Sequence, residues 1–191
     1  MSPRPRVVVA GGIGSGKSTV IGVLGDLGWS VLSADQVGHD VLMEPEVIEA
    51  VAARWPAAVV NREVNRSKLA GIVFGGKSEL NALEEITHPL IVGRIDRWVE
   101  GSSGPAALEV SVLKVVRPGW GPVLIVHAPF ALRRQRALER GMTAEDVKAR
   151  MAAQPSDEEL LAAADVVLDN QGTVDDLIAA VHRIDLWARS Q

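Results

Sequence analysis

At 191 residues, 47% of them hydrophobic, the chain is long enough for one good-sized core, or for one core with a small appended lobe. A formal net charge of -4 leaves no basic stripe for a nucleic-acid duplex, and 4% aromatic residues with no Tyr leave few stacking surfaces for single strands, so no nucleic-acid partner is expected. The absence of cysteine excludes disulfides, thiolate zinc sites and a cysteine nucleophile, and no apolar run is long enough for a signal peptide or a membrane span, so a cytoplasmic protein is expected.

In chain order, Arg6–Ala10 (RVVVA) reads as a buried strand that stops on glycines, and Ser18–Leu27 as the helix after them. Trp29–Ser33 is a second short strand, ending at Ala34 and Asp35. From Gly38 to about Glu100 the pattern is mainly helical and carries charges throughout, until Gly101-Ser-Ser-Gly-Pro105 breaks it. Ala106–Leu113 and Pro122–Ala128 read as strands, and Arg133–Arg140 as a strongly basic helix. Thr143 and Asp146 form a capping box that opens a helix to Ala153. Asp165–Asp169 is the fifth and last strand. Thr173 and Asp176 cap a last helix, whose buried stripe is Val174, Leu177, Ile178, Val181 and Ile184. Strands alternating with helices predict an α/β fold: a parallel five-stranded sheet covered on both faces, with residues 38–100 as an insert between strands and not a separate domain.

The glycines carry the first chemistry. Gly11, Gly16, Lys17 and Ser18 fit G-x-x-x-x-G-K-[ST], with Gly12, Ile13, Gly14 and Ser15 between them and Thr19 after. Glycines let the backbone curl so that its amides point at phosphate oxygens, and the next helix begins with unpaired amides and a partial positive charge. Lys17 can reach the β- and γ-phosphates, and the Ser18 hydroxyl can ligate Mg²⁺. A chance match is expected in roughly one chain of this length in a hundred.

Such a cradle does not separate a kinase from a switch or an ATP-driven machine. Asp35 lies at the carboxyl end of the second strand, the edge where ligands sit in an open parallel sheet. A carboxylate there can accept the proton of an attacking hydroxyl or help hold the metal; the competing reading is a helix cap, and the cradle favours catalysis. Arg133, Arg134, Arg136 and Arg140 lie within two or three helical turns, with Arg136 and Arg140 on one face, and Arg forks suit a migrating phosphoryl group. A solvated basic face is the alternative. Asn170 and Gly172 follow the last strand and would border the adenine or make an ordinary turn.

Taken together, GGIGSGKSTV, SADQVGHDVL, NRSKLAGIVF, LNALEEITHPLI, ERGMTAEDVKARMAAQ and AADVVLDNQG resemble the dephospho-coenzyme A kinases, in family order along nearly the whole chain. The THP-LI element and the AAQ…ADVVLDN ending are more specific than the cradle. The resemblance implies a three-layer, adenylate-kinase-like P-loop kinase with a helical acceptor-binding insert over 38–100 and a lid over 133–155. It implies transfer of the ATP γ-phosphate to the ribose 3′-hydroxyl of dephospho-coenzyme A, with ATP and Mg²⁺ required and a monomer or weak homo-oligomer as the working form. By the same resemblance Asp35 is the general base, and Lys17 with Gly11–Thr19 the ATP loop. Arg136 and Arg140 match lid arginines, and Arg150 and Gln154 the lid's last helix. Arg66, Leu69, His88 and Pro89 match the acceptor-binding insert, joined by Lys68, which with Arg66 can meet a pyrophosphate.

The chain also departs from that family. Ser33 stands where Asp is usual and His39 where Arg is usual. The stretch that lines the family's acceptor pocket reads Glu109-Val110-Ser111-Val112-Leu113-Lys114 here, and Glu109 and Leu113 are the residues expected to reach the acceptor. Asp157 and Leu160 replace basic residues before the last strand, an expected loss of grip on phosphates. Two rivals follow: a kinase of the same fold with another nucleoside or small-metabolite acceptor, and a nucleotide-binding regulatory protein that transfers nothing.

Overall fold

The computed structural model describes residues 4–190; residues 1–3, part of the stretch examined for a leader, and residue 191 lie outside the described residues. The elements run β1 (Arg6–Ala10), α1 (Lys17–Asp26), β2 (Ser30–Ser33), α2 (Ala34–Val41), α3 (Pro45–Arg54), β3 (Val59–Val60), β4 (Glu63–Val64), α4 (Arg66–Val73), α5 (Lys77–Gly101), β5 (Ala106–Glu109), β6 (Val123–His127), α6 (Phe130–Glu139), α7 (Ala144–Ala152), α8 (Asp157–Ala162), β7 (Val166–Asp169) and α9 (Val174–Arg189). They form two compact units, one of residues 34–100 and one of the rest.

The larger unit holds a five-stranded parallel sheet in the order β2-β5-β1-β6-β7. Val7, Val8, Val9 and Ala10 are all at most 1% exposed, so both faces of the central strand are covered, as a continuous apolar run requires. Val7 and Val9 face a cluster with Val20 and Leu24 of α1 and Leu177, Val181 and Ala188 of α9. The chain passes from β5 on one side of β1 to β6 on the other, so the loop leaving β1 sits at the point where the winding reverses, the usual ligand crevice of such a sheet.

Three details differ from the sequence reading. The third long strand stops at Glu109, not Leu113: the Val110 amide still donates to the Val9 carbonyl, but β2 ends opposite Glu109 and β1 one residue later, and Leu113–Val115 forms a single 3₁₀ turn with Val112 exposed. Val174 is 64% exposed, and the buried stripe of α9 instead continues to Asp185 and Ala188. α8 was not anticipated, although Ser156 and Glu159 make a reciprocal capping box like that of Thr173 and Asp176. These capping hydrogen bonds hold the Glu159 and Asp176 carboxyls below their ordinary values, so their support is present at neutral pH and is lost as pH falls.

The smaller unit is not wholly helical. β3 and β4 pair antiparallel across Asn61 and Arg62, both at positive φ (52° and 64°), which is the backbone of a two-residue hairpin turn. Glu79 of α5 ties down the end of α3: Arg54 donates two hydrogen bonds to it, at 3.1 and 3.2 Å, and Trp55 Nε1 a third, at 2.7 Å. These donors, Arg54 first, hold the Glu79 carboxyl below its ordinary value. α5 runs unbroken through Pro89, so His88 lies in mid-helix. Among the described residues no helix is long and apolar enough to cross a membrane.

In the larger unit the indole of Trp29, 4% exposed, donates to Asp185 Oδ1 at 2.6 Å, and Arg189 Nε donates to the same oxygen at 2.6 Å. Replacing Asp185 by Ala leaves a buried N–H unpaired, and should lower the unfolding free energy by about 1–3 kcal/mol. Asp185→Asn keeps an acceptor and should lose less. Urea-unfolding midpoints test this, and equal midpoints for wild type and Asp185→Ala would contradict it.

Candidate active site

The loop after β1 is shaped by close approach. Gly16 closes it in the left-handed region (φ 104°), and a Cβ there would overlap Asn170 Nδ2. Asn170 is 5% exposed; its Nδ2 donates to the Ser15 carbonyl at 2.7 Å, and its amide donates to the His127 carbonyl at 2.7 Å. The end of β7 thereby braces the loop. Lys17 Nζ donates to the Gly11 carbonyl at 2.7 Å and lies 3.5 Å from that of Gly12. No side chain caps α1, and its first turn holds no acid, so no carboxylate offsets the partial positive charge at its N-terminus. Ser18 is exposed in that first turn, beside Lys17.

The basic helix α6 divides its arginines by role. Arg133 is 6% exposed: its Nε donates to the Ala128 carbonyl at 2.9 Å, Nη2 donates to Asp157 Oδ1 at 2.5 Å, and the guanidinium lies over the Phe130 ring at 5.9 Å. Its Nη1 stands against the loop, where a Cβ on Gly12 would overlap it. Gln154, just past α7, accepts a hydrogen bond from the Ile13 amide at 2.9 Å. Arg136 Nη1 donates to the Asn170 carbonyl at 3.1 Å, whereas Arg140 is exposed at the end of α6. Arg136 contacts the braced loop's support, and Arg133 and Gln154, both noted in the sequence, lie against the loop itself, with Asp157 as the partner of Arg133. The signal for Arg133 was its spacing, one helical turn before buried Ala137, which puts it on the inward face.

The remaining residues are distributed as follows. Glu109, at the carboxyl end of β5, pairs in register with Val9 and Ser33, and Leu113 is half-buried in the following turn. Gly172 packs against the capping carboxylate of Asp176, where a Cβ would meet Oδ2 at 2.6 Å, so its residue type is explained by the turn itself. In the smaller unit Asp35 is exposed in the first turn of α2, two residues past the end of β2. Arg66 Nη2 meets His39 Nε2 at 2.5 Å, which joins the usual-Arg position to the start of α4. Lys68 is exposed, and its amide donates to the Asn65 cap. Leu69 is 2% exposed on α4; His88 is half-buried and Pro89 exposed on α5.

The chain has clear relatives. The family model for dephospho-CoA kinase matches residues 6–176. The dephospho-CoA kinase of Frankia casuarinae is 37% identical over 96% of this chain and 84% of its own length. That of Aquifex aeolicus is 33% identical over 94% and 95%. The crystal structure of TT1252 from Thermus thermophilus superposes with a TM-score of 0.82 at 32% identity, covering 96% of this chain and 98% of that one. The match spans β1, the loop, the whole of the smaller unit, α6 to α8 and β7: the chain belongs to the dephospho-CoA kinase family.

Proposed function

We propose that this chain carries out the last step of coenzyme A biosynthesis, transferring the γ-phosphate of ATP to the ribose 3′-hydroxyl of dephospho-coenzyme A. The observation that carries the reading is a family match that takes in both the braced loop and the smaller unit with its NRSKL and THPLI stretches. The protein acts in the cytoplasm, a compartment with which a cysteine-free chain is compatible, as a monomer or weak homo-oligomer.

In this reading the amides of Gly11–Thr19 and the α1 N-terminus receive the phosphates, and Lys17 exchanges the Gly11 carbonyl for the β- and γ-phosphate oxygens. Asn170 and Gly172, past β7, border the adenine. The exposed Ser18 hydroxyl fits an Mg²⁺ that keeps several waters and takes few protein ligands; when bound, the ion offsets charge on the phosphates. Asp35 accepts the 3′-hydroxyl proton as that oxygen attacks. The lid over 133–155 brings Arg136 and Arg140 to the transferring group and excludes water, which suppresses hydrolysis. The insert over 38–100 takes the acceptor: Arg66 and Lys68 meet its pyrophosphate, with His88, Pro89, Glu109 and Leu113 along its length. The altered Glu109–Lys114 stretch favours one competing reading, a kinase of this fold with another nucleoside or small-metabolite hydroxyl as acceptor.

Two outcomes are expected. Asp35→Asn keeps size but removes the base, so transfer should fall by roughly a hundredfold or more while ATP affinity changes little; a matching collapse of ATP binding would make Asp35 a metal-holding or structural residue. With purified protein, ATP and Mg²⁺, and product followed by mass, kcat/KM for dephospho-coenzyme A should exceed that for adenosine or AMP by at least about tenfold, or 1.4 kcal/mol of transition-state binding. Equal values would favour the competing reading.

A further inference from the structure

Asp157 stands where a chain built to hold phosphates has least use for a negative charge. It is the first residue of α8, 34% exposed in its side chain, and it neutralises a cation that abuts the loop. The Arg133 fork is nearly spent: Nε is fixed by the Ala128 carbonyl and Nη2 by Asp157, while Nη1, against Gly12, has no hydrogen bond to the protein among the described residues. The other Asp157 oxygen faces His127 Nε2 at 4.0 Å, so the carboxylate has a second cationic neighbour when that ring is protonated. A buried guanidinium with only one partly exposed carboxylate is an unstable arrangement beside an incoming polyanion, because phosphate oxygens offer the fork more charge than one carboxylate does.

We propose that Arg133 is a further phosphate-binding residue of the donor site, paired with Asp157, and that ATP displaces Asp157 from it. Nη1 is already at the loop, and a turn of the guanidinium about its stem, with Nε still on Ala128, directs the Nη2 arm from α8 to a phosphate oxygen. Arg133 thereby supplies from α6 the positive charge that Asp157 and Leu160 no longer supply before β7. Asp157 acts as a competitor of the donor, and α8 is released when the donor binds.

The proposal rests on the reading of the Gly11–Thr19 loop as the ATP cradle, and its test separates the two. Affinities for ATP, ADP and adenosine are measured by calorimetry without acceptor on wild type, Arg133→Lys, Arg133→Met, Asp157→Asn and Lys17→Ala, with the melting temperature of each. Asp157→Asn should bind ATP more tightly, by about threefold or more, because the competing charge is gone. Arg133→Lys, which keeps charge but not the fork, should weaken ATP binding by about tenfold while adenosine binding changes less. Arg133→Met should weaken it further, and if that variant unfolds, Arg133→Lys decides. If Asp157→Asn weakens ATP binding or leaves it within about twofold, the pair is a structural strut and the proposal is overturned. A Lys17→Ala protein that binds ATP as wild type does would instead overturn the cradle reading itself.

Discussion

The rest of the site depends on the contact between Gly16 and Asn170. The loop after β1 must turn through a left-handed residue to begin α1, and the space a side chain would occupy there is filled by the Asn170 amide, which holds the Ser15 carbonyl. Asn170 reaches that point because β7 pairs with β6 and its own amide continues the ladder to His127. The sheet's last strand is therefore what fixes the curl of a loop that begins at its central strand. A loop held this way has its amides oriented before any ligand arrives, which lowers the ordering cost of binding.

Charge is arranged around the same point. The chain as a whole is acidic, yet the first turn of α1 carries no acid, and Lys17, Arg133 and Arg136 all contact the loop or the residue that braces it. Each of these cations is held by a carbonyl or a carboxylate. The site's cations are thus internally satisfied, and Gln154 on the Ile13 amide and Asp157 on Arg133 join the loop to the segment after α7 and to α8.

Much of this was legible in the sequence, and the parts that were not have physical reasons. The strand–glycine–helix start, the five strands and the Thr173 cap are local patterns, and each is set by residues adjacent in the chain. The end of β5 at Glu109 was not legible because Val110 and Val112 keep the alternation of a strand while the neighbouring strands, distant in sequence, have stopped. Pro89 is a related case: a proline ordinarily favours a helix end, yet α5 continues past it and gives up the hydrogen bond its ring nitrogen cannot make. In the site, Arg133 looked like one of several exposed cations, and only the packing of α6 on the loop separates it from Arg134 and Arg140. Asp157 looked like a loss; its partner shows that the loss is matched by a cation 24 residues earlier.

The central claim is that the braced loop commits the ATP γ-phosphate to an acceptor hydroxyl and not to water. The most direct measurement is the rate of ADP release from ATP and Mg²⁺ by the purified protein, with and without dephospho-coenzyme A. The account predicts that the acceptor raises the rate by about a hundredfold or more, with one coenzyme A formed per ADP, because water is excluded until the acceptor completes the site. An equal rate with and without it, or ADP formed without coenzyme A, would contradict the account.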